Sequence, residues 1–175
     1  MSVRRHFSLV CALALGAATL ISPDPVRAAP AVPFLRGHQL INVHSGKCLA
    51  IAGDGTADGG AAVQSSCREE RAHLWRFRTV PLTGLFQVQN LKSGRCLSAA
   101  DGRAVQRPCD GDRSRRWRVW DARSARLVLR SAVDGRCLTV AGGSRRENAP
   151  AVLSTCGPGA SGRWDARLIG GPERA

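Results

Sequence analysis

The sequence predicts an all-β fold in which three four-stranded repeats surround a threefold axis. One observation is a unit of two cysteines and a tryptophan that occurs three times, with the tryptophan eight residues after the second cysteine in every copy. The units are Cys48, Cys67, Trp75; Cys96, Cys109, Trp117; and Cys137, Cys156, Trp164. Another observation is a common lead-in, Gly-Lys/Arg-Cys-Leu, at the first cysteine of each unit. A fixed period of about 40 to 50 residues is typical of repeat architectures.

Each repeat is predicted to contain four short strands, because short apolar or alternating runs are separated by turn residues and no stretch has helical periodicity. The predicted strands are Gln39–His44, Cys48–Ala52, Ala62–Ser66, Trp75–Val80; Leu85–Asn90, Cys96–Ala99, Ala104–Gln106, Trp117–Trp120; and Leu127–Ser131, Cys137–Ala141, Ala151–Ser154, Trp164–Leu168. Twelve such strands suit a closed antiparallel barrel, which hides strand edges. The recurring tryptophan is expected in the core, where it buries a large apolar area.

The first 28 residues have the features of an export signal. Arg4 and Arg5 precede an apolar stretch from Phe7 to Ile21, and Val26-Arg27-Ala28 fits a small-residue cleavage site. The apolar stretch is too short to span a membrane comfortably. We therefore predict a secreted protein that is not embedded in a membrane, with a signal peptide at 1–28, a short leader at 29–36, one domain at 37–169 and a C-terminal tail at 170–175.

Removal of the signal takes away Cys11 and leaves six cysteines, an even number that indicates disulfides in an exported chain. The pairing that respects the repeat, out of the 15 that six cysteines allow, is Cys48–Cys67, Cys96–Cys109 and Cys137–Cys156. A metal site is the competing interpretation. Because the chain has no Cys-x-x-Cys and no Cys/His pair with zinc spacing, we expect no metal and no other cofactor.

The chain is strongly basic, with a formal net charge of +13. Removal of residues 1–28 takes away three arginines and one aspartate and leaves a net charge of about +11, almost all of it from arginine. One interpretation is the codon bias of a GC-rich genome. The other is attraction to a polyanion such as an acidic polysaccharide, a cell-wall polymer or nucleic acid.

The lead-in, the second cysteine and the tryptophan eight residues later, found three times, resemble the ricin B-type lectin family over Gly37 to about Ile169. This resemblance implies a β-trefoil with threefold pseudosymmetry and the binding of galactose-like sugars in shallow pockets. The family's sugar-contacting positions can be matched one by one, and none keeps the family's residue. The aspartate after Cys-Leu is Ala50, Ser98 or Thr139; the aromatic before the second cysteine is Ser65, Arg107 or Ser154; the Asn-Gln pair is Ala72-His73, Ser114-Arg115 or Ser161-Gly162.

Two other groups are candidates for ligand binding. In the first repeat, Asp54, Asp58 and His73 could form a polar site, the alternative being ordinary surface loop residues. In the second repeat, strand alternation sends Arg116, Arg118 and Trp120 to the face opposite the core, as in a surface for polyanions or stacked bases. The alternative is that chain ends or a loop cover this face and bury Trp120.

We do not expect an enzyme, because only His38, His44 and His73 remain after signal removal and no serine or cysteine has a recognisable nucleophile setting. The leading hypothesis is a secreted lectin-like module that binds carbohydrate, for which an anionic glycan fits the charge better than galactose. The alternative is a β-trefoil that has lost sugar binding and acts through protein contacts, as a toxin-accessory or inhibitor-like subunit. A third hypothesis, nonspecific binding of nucleic acid or an anionic surface, is the least favoured.

Overall fold

The computed structural model describes residues 36–122 and 126–170. The predicted signal peptide, the leader up to residue 35 and the tail after Gly170 lie outside these residues. The regular structure of the described ranges consists of the predicted β-strands, with five single-turn 3-10 helices between them. No helix within these ranges is long and apolar enough to cross a membrane.

Twelve strands are observed, four in each repeat, which confirms the predicted pattern. They are β1 Gly37–Asn42, β2 Cys48–Ile51, β3 Ala62–Ser65, β4 Trp75–Val80, β5 Leu85–Asn90, β6 Cys96–Ala100, β7 Arg103–Arg107, β8 Trp117–Ala122, β9 Arg126–Ser131, β10 Cys137–Val140, β11 Ala151–Ser154 and β12 Trp164–Ile169. The largest difference from the predicted bounds is in β1. It ends at Asn42 rather than His44, because the Gly46 N–H donates to the Asn42 carbonyl at 2.8 Å and turns the chain there.

Six of the strands close into a barrel, and the other six form three hairpins that cap one end of it. Three antiparallel pairs, β1–β12, β4–β5 and β8–β9, each match six residues, and the shorter pairings β1–β4, β5–β8 and β9–β12 close the ring. The hairpins are β2–β3, β6–β7 and β10–β11. They meet one another through bridges such as Val152–Arg103 and Ala61–Val105. This is the β-trefoil that the resemblance implies.

The tryptophan of each repeat lies in the core and ties the last strand of the repeat to the second. Trp75, Trp117 and Trp164 are completely buried. Each indole N–H donates to the carbonyl of the leucine after the first cysteine: Trp75 to Leu49 at 2.9 Å, Trp117 to Leu97 at 2.9 Å and Trp164 to Leu138 at 3.1 Å. A buried indole N–H needs such a partner, which explains why Cys-Leu and Trp recur together.

The three predicted disulfides, Cys48–Cys67, Cys96–Cys109 and Cys137–Cys156, are all present. The glycine of each lead-in has a left-handed backbone, with φ of 71° at Gly46, 69° at Gly94 and 72° at Gly135. Side chains disfavour this conformation, so the turn before each first cysteine requires glycine.

Two buried glutamines fasten neighbouring repeats to each other. The Gln106 Nε2 group donates to the carbonyls of Gly55 and Ala57 in the long loop of the first repeat, at 3.0 and 2.8 Å. Its Oε1 accepts a hydrogen bond from the Ser93 hydroxyl at 2.7 Å. Gln64, at the same place in the first repeat, holds the loop of the third repeat through the carbonyls of residues 144 and 146.

The third repeat departs from this pattern, with Leu153 in place of the glutamine. A glutamine at this position would hold the loop between β6 and β7 of the second repeat. That loop is only two residues long, Asp101 and Gly102. The glutamine and the loop that it would hold are therefore both absent at this one junction.

Candidate functional site

In the first repeat, the position that the family uses for sugar binding is occupied by a compact polar cluster. His73 is fully buried on the 3-10 turn Arg71–His73. Its Nε2 lies 3.4 Å from an Asp54 carboxylate oxygen and 2.9 Å from an Arg68 guanidinium nitrogen. Arg68 also pairs directly with Asp54. The structure thus brings the predicted Asp54 and His73 together and adds Arg68 to them.

Burial lowers the pKa of His73, and the nearby charge of Arg68 lowers it further, against the opposing charges of Asp54 and Glu70. The imidazole is therefore neutral at neutral pH, and its Nε2 can accept a hydrogen bond from the Arg68 guanidinium. Within the described residues, its Nδ1 is buried without a hydrogen-bond partner. The side chains of Asp54, Arg68 and His73 thus contact one another at this position.

Asp58 does not join this cluster. Its carboxylate pairs with Arg107 at 3.0 Å and lies 3.7 Å from Arg95, both in the second repeat. The loop that carries it is fixed to that repeat, where the Gly59 N–H donates to the Gln106 carbonyl at 2.9 Å. The expected grouping of Asp54, Asp58 and His73 is therefore wrong for Asp58, because the far side of the loop packs on the next repeat.

The second repeat fills the corresponding position in a similar way. Arg115 is largely buried and lies 3.0 Å from Asp112 and 3.3 Å from Asp110. The Ser98 hydroxyl, which stands where the family has its aspartate, donates to Ser114 Oγ at 3.0 Å. An arginine and its carboxylates again lie at the position matched to the family's sugar contacts.

The third repeat leaves this position open. A cleft of about 110 Å³ is lined by Thr139, Ser154, Ser161 and Gly162, the residues matched to the family's sugar contacts. The hydroxyls of Thr139 and Ser154 are hydrogen-bonded to each other, with 3.1 Å between Oγ1 and Oγ. A Cβ atom at Gly162 would lie 3.1 Å from the Thr139 methyl group, so glycine keeps the floor of the cleft clear.

The charged loop of the third repeat is attached to the first repeat. Glu147 pairs with Lys47 at 2.8 Å and accepts a hydrogen bond from the Ser66 N–H at 2.7 Å. These two contacts lower the pKa of Glu147 to about 2. The loop therefore joins two repeats and presents no unpaired acid at Glu147.

A basic surface lies on the outside of the second repeat. Trp120 is 61% exposed, so no described loop buries it, and the chain ends that the alternative also named lie outside the described residues. Trp120 and Arg118 line an open cleft of about 350 Å³ together with Gly84. Arg116 points elsewhere, because its guanidinium donates to the Gly111 carbonyl at 2.5 Å. The expected group of Arg116, Arg118 and Trp120 therefore holds only for the last two.

Two further arginines that the sequence reasoning missed lie beside Arg118. Arg113 and Arg130 line a second cleft with it, of about 390 Å³. Arg130 lies directly opposite Arg118 in the β8–β9 pairing. The register of the hairpin that joins these two strands is the signal that could have revealed this pair.

Comparison with known proteins shows how the whole domain is related to others. A family model described as "Ricin-type beta-trefoil lectin domain" matches residues 36–164. Among curated proteins, none matches the chain.

Many solved structures share the fold. The designed threefold-symmetric protein ThreeFoil is 24% identical, with a TM-score of 0.70 over 74% of this chain and 96% of its own. The earthworm R-type lectin C-half in complex with GalNAc is 14% identical, with a TM-score of 0.65 over 76% of this chain and 98% of its own. An exo-beta-1,3-galactanase from Clostridium thermocellum is 22% identical, with a TM-score of 0.73 over 78% of this chain but only 31% of its own.

Proposed function

The chain belongs to the ricin-type β-trefoil lectin family, and from this premise we propose that it is a secreted module that binds carbohydrate and catalyses no reaction. Three disulfides in so small a domain favour an oxidising compartment and therefore support secretion. Family membership supports binding rather than catalysis. The ligand in this proposal is a glycan, and the strong positive charge favours an anionic one.

The open cleft of the third repeat is the observation that carries this proposal. Of the three positions matched to the family's sugar contacts, those of the first and second repeats hold arginine–carboxylate clusters. The third presents the hydroxyls of Thr139 and Ser154 around an unfilled space. Sugar hydroxyls lose water on binding and need such polar partners in return.

The size of the cleft limits the affinity that it can give. Sites for drug-sized ligands enclose roughly 300 to 1,000 Å³, and this cleft has about 110 Å³, with no aromatic side chain among its lining residues. It would hold one edge of one sugar ring. We therefore expect a dissociation constant on the order of 1 mM for a single monosaccharide, which corresponds to about 4 kcal/mol.

A glycan array probed at low and high salt tests this proposal. Thr139→Val keeps the shape of the side chain and removes its hydroxyl, so binding to neutral glycans should fall. Ser98→Ala removes a hydroxyl at the matched position of the second repeat and should leave binding unchanged, since the Arg115–Asp112 ion pair lies at that position. Undiminished binding by Thr139→Val would exclude the third cleft, and silence of the wild type on every glycan would exclude carbohydrate binding.

The second candidate function is a β-trefoil that acts through protein contacts, as a toxin-accessory or inhibitor-like subunit. The filled positions of the first and second repeats favour it, because two of the three places for sugar have been given up. A wild-type protein that ignores all glycans but captures one protein through the exposed Trp120 would support this function, with Trp120→Ala as the variant that loses capture.

A further inference from the structure

Three arginines converge on one cleft at the junction of the second and third repeats. Arg113 comes from the 3-10 turn Arg113–Arg115, Arg118 from β8 and Arg130 from β9. The cleft between them has a volume of about 390 Å³ and is also lined by Leu85 and Ser131. All three arginines are exposed, so their charges reach solvent and any ligand in the cleft.

Two of these three like charges face each other directly. Arg118 and Arg130 are direct cross-strand neighbours, and like charges in this position repel each other. Among the described side chains, of residues 36–120 and 126–170, no carboxylate lies within 4 Å of the three guanidinium groups. Asp134, next to the cleft-lining Gly135, is itself paired with Arg136 at 2.7 Å. An anion in the cleft would relieve the repulsion.

The hydrogen bonds of two of the arginines hold them in place without using all their donors. Arg113 donates through one Nη to the Ala132 carbonyl at 3.0 Å. Arg130 donates through Nε to the Gly135 carbonyl at 2.6 Å. A guanidinium has five N–H donors, so each side chain is fixed and still presents donors to the cleft. Pre-positioned donors reduce the entropy that a ligand must overcome on binding.

The threefold pseudosymmetry shows that the fold does not require this arrangement. Three positions can be matched between the junctions: four residues before the core tryptophan, one residue after it, and the cross-strand partner of that second position. In this cleft they hold Arg113, Arg118 and Arg130. At the junction of the first and second repeats they hold Arg71, Arg76 and Gln89, and at the remaining junction Ala160, Asp165 and Ile41. Arg71 even repeats the contact of Arg113, donating to the Leu91 carbonyl at 2.8 Å. The formal charge at these positions therefore falls from three positive charges to two and then to one negative charge, so the three junctions differ and this one is the most basic.

We propose that this cleft is an anion-binding subsite for a sulfate or carboxylate group on a glycan, separate from the third-repeat cleft, and that a neighbouring sugar ring packs on Trp120. The proposal takes the glycan class from the proposed function. The planar guanidinium fork matches the paired oxygens of sulfate and carboxylate. Arg118 also lines the adjoining cleft with Trp120, so charge and a flat apolar face are next to each other.

The proposal is tested by measuring the surface binding of the protein to dextran and to dextran sulfate at several salt concentrations. The two polymers share one backbone and differ in their sulfate groups. Wild type should bind dextran sulfate and not dextran. Arg118→Gln with Arg130→Gln should weaken binding at least about tenfold, since hydrogen bonds between charged groups are the strong ones. Arg71→Gln with Arg76→Gln removes the same charge from the matched junction and should weaken it less than about threefold. Trp120→Ala should weaken binding in a way that persists at high salt, because ring packing is not screened.

The outcomes separate the possible explanations. Equal losses in the two double variants would show general charge attraction and overturn the subsite. Tight binding of a single-stranded DNA oligonucleotide by the same residues, without binding of dextran sulfate, would also overturn it. Polygalacturonate in place of dextran sulfate distinguishes carboxylate from sulfate as the preferred group.

Folding and the two proposed sites are checked separately. Thermal unfolding of the Arg118/Arg130 variant should show a midpoint close to that of wild type, because relief of the like-charge repulsion offsets the loss of the exposed hydrogen bond from Arg130 to Gly135. Thr139→Val should bind dextran sulfate normally. If it does while no neutral glycan is ever bound, the third-repeat cleft fails and the basic subsite stands.

Discussion

Replacing Gln106 by leucine should destabilise the domain, because this side chain joins the second repeat to the first. The substitution removes the two bonds to the carbonyls of Gly55 and Ala57 and the bond from the Ser93 hydroxyl. Gln106 is fully buried, so water cannot easily replace the lost partners. Leucine has nearly the volume of glutamine, so the loss of the hydrogen bonds determines the change in stability.

The magnitude follows from the three bonds. Each hydrogen bond contributes a net of about 0.5 to 1.5 kcal/mol, and a buried group left unpaired raises the loss toward the upper end. A buried leucine side chain recovers part of the lost free energy, because it needs no hydrogen-bond partner. We therefore expect a net loss of about 3 kcal/mol in the free energy of unfolding. For a domain of this size, that lowers the unfolding midpoint by roughly 10 °C.

Denaturant unfolding of the oxidised protein, followed by tryptophan fluorescence, measures this loss. The matched control is Gln87→Leu, which removes one exposed bond to the Asp110 carbonyl and should cost less than about 0.5 kcal/mol. The denaturant slope should be the same in both variants. If Gln106→Leu is as stable as its control, the glutamine does not fasten the repeats together.

Three further results are expected. The pKa of His73 is lowered in the fold, so its contribution to stability is complete above the unfolded pKa of 6.5 and is lost as the pH falls below that value. The thermal midpoint of wild type should therefore fall below pH 6.5, and that of His73→Gln should change less with pH. An equal pH dependence of the midpoint in both proteins would contradict this. The pKa of Glu147 is lowered to about 2, so its contribution to stability is complete above pH 4.5 and is lost as the pH falls toward 2. The urea midpoints at pH 5 and pH 3 should therefore differ less in Glu147→Gln than in wild type. Gly162→Leu should close the third cleft against Thr139 and abolish the binding of neutral glycans, with a somewhat lowered unfolding midpoint because the new Cβ lies only 3.1 Å from the Thr139 methyl group; retained binding would place the neutral sugar elsewhere.

The elements of the fold could be predicted because their causes repeat within the sequence. Each tryptophan reaches the backbone of the same Cys-Leu dipeptide, each disulfide closes within its own repeat, and each lead-in glycine makes the same turn. Because these local constraints occur in three copies, few assignments of strand positions are compatible with all of them. The bounds of the strands then followed from the turns between them.

The site could be predicted only in part, because its partners come from neighbouring repeats. Asp58 stands four residues from Asp54 in the chain but pairs with arginines of the next repeat. Arg130 meets Arg118 only through the β8–β9 register. Reading each repeat by itself finds the positions that have lost the family's residues and misses the arginines and carboxylates that replaced them.

The missing glutamine of the third repeat has a consequence for motion. Gln106 and Gln64 each reinforce their junction with two backbone bonds, while Leu153 makes one in the described chain, from its N–H to the Gly102 carbonyl. Local opening takes place where few bonds must break together. Amide hydrogens where the β6–β7 and β10–β11 hairpins meet should therefore exchange with solvent faster than those at the other two hairpin junctions. This is the junction that also carries the basic cleft, so a bound anion would slow exchange there more than at the other two junctions.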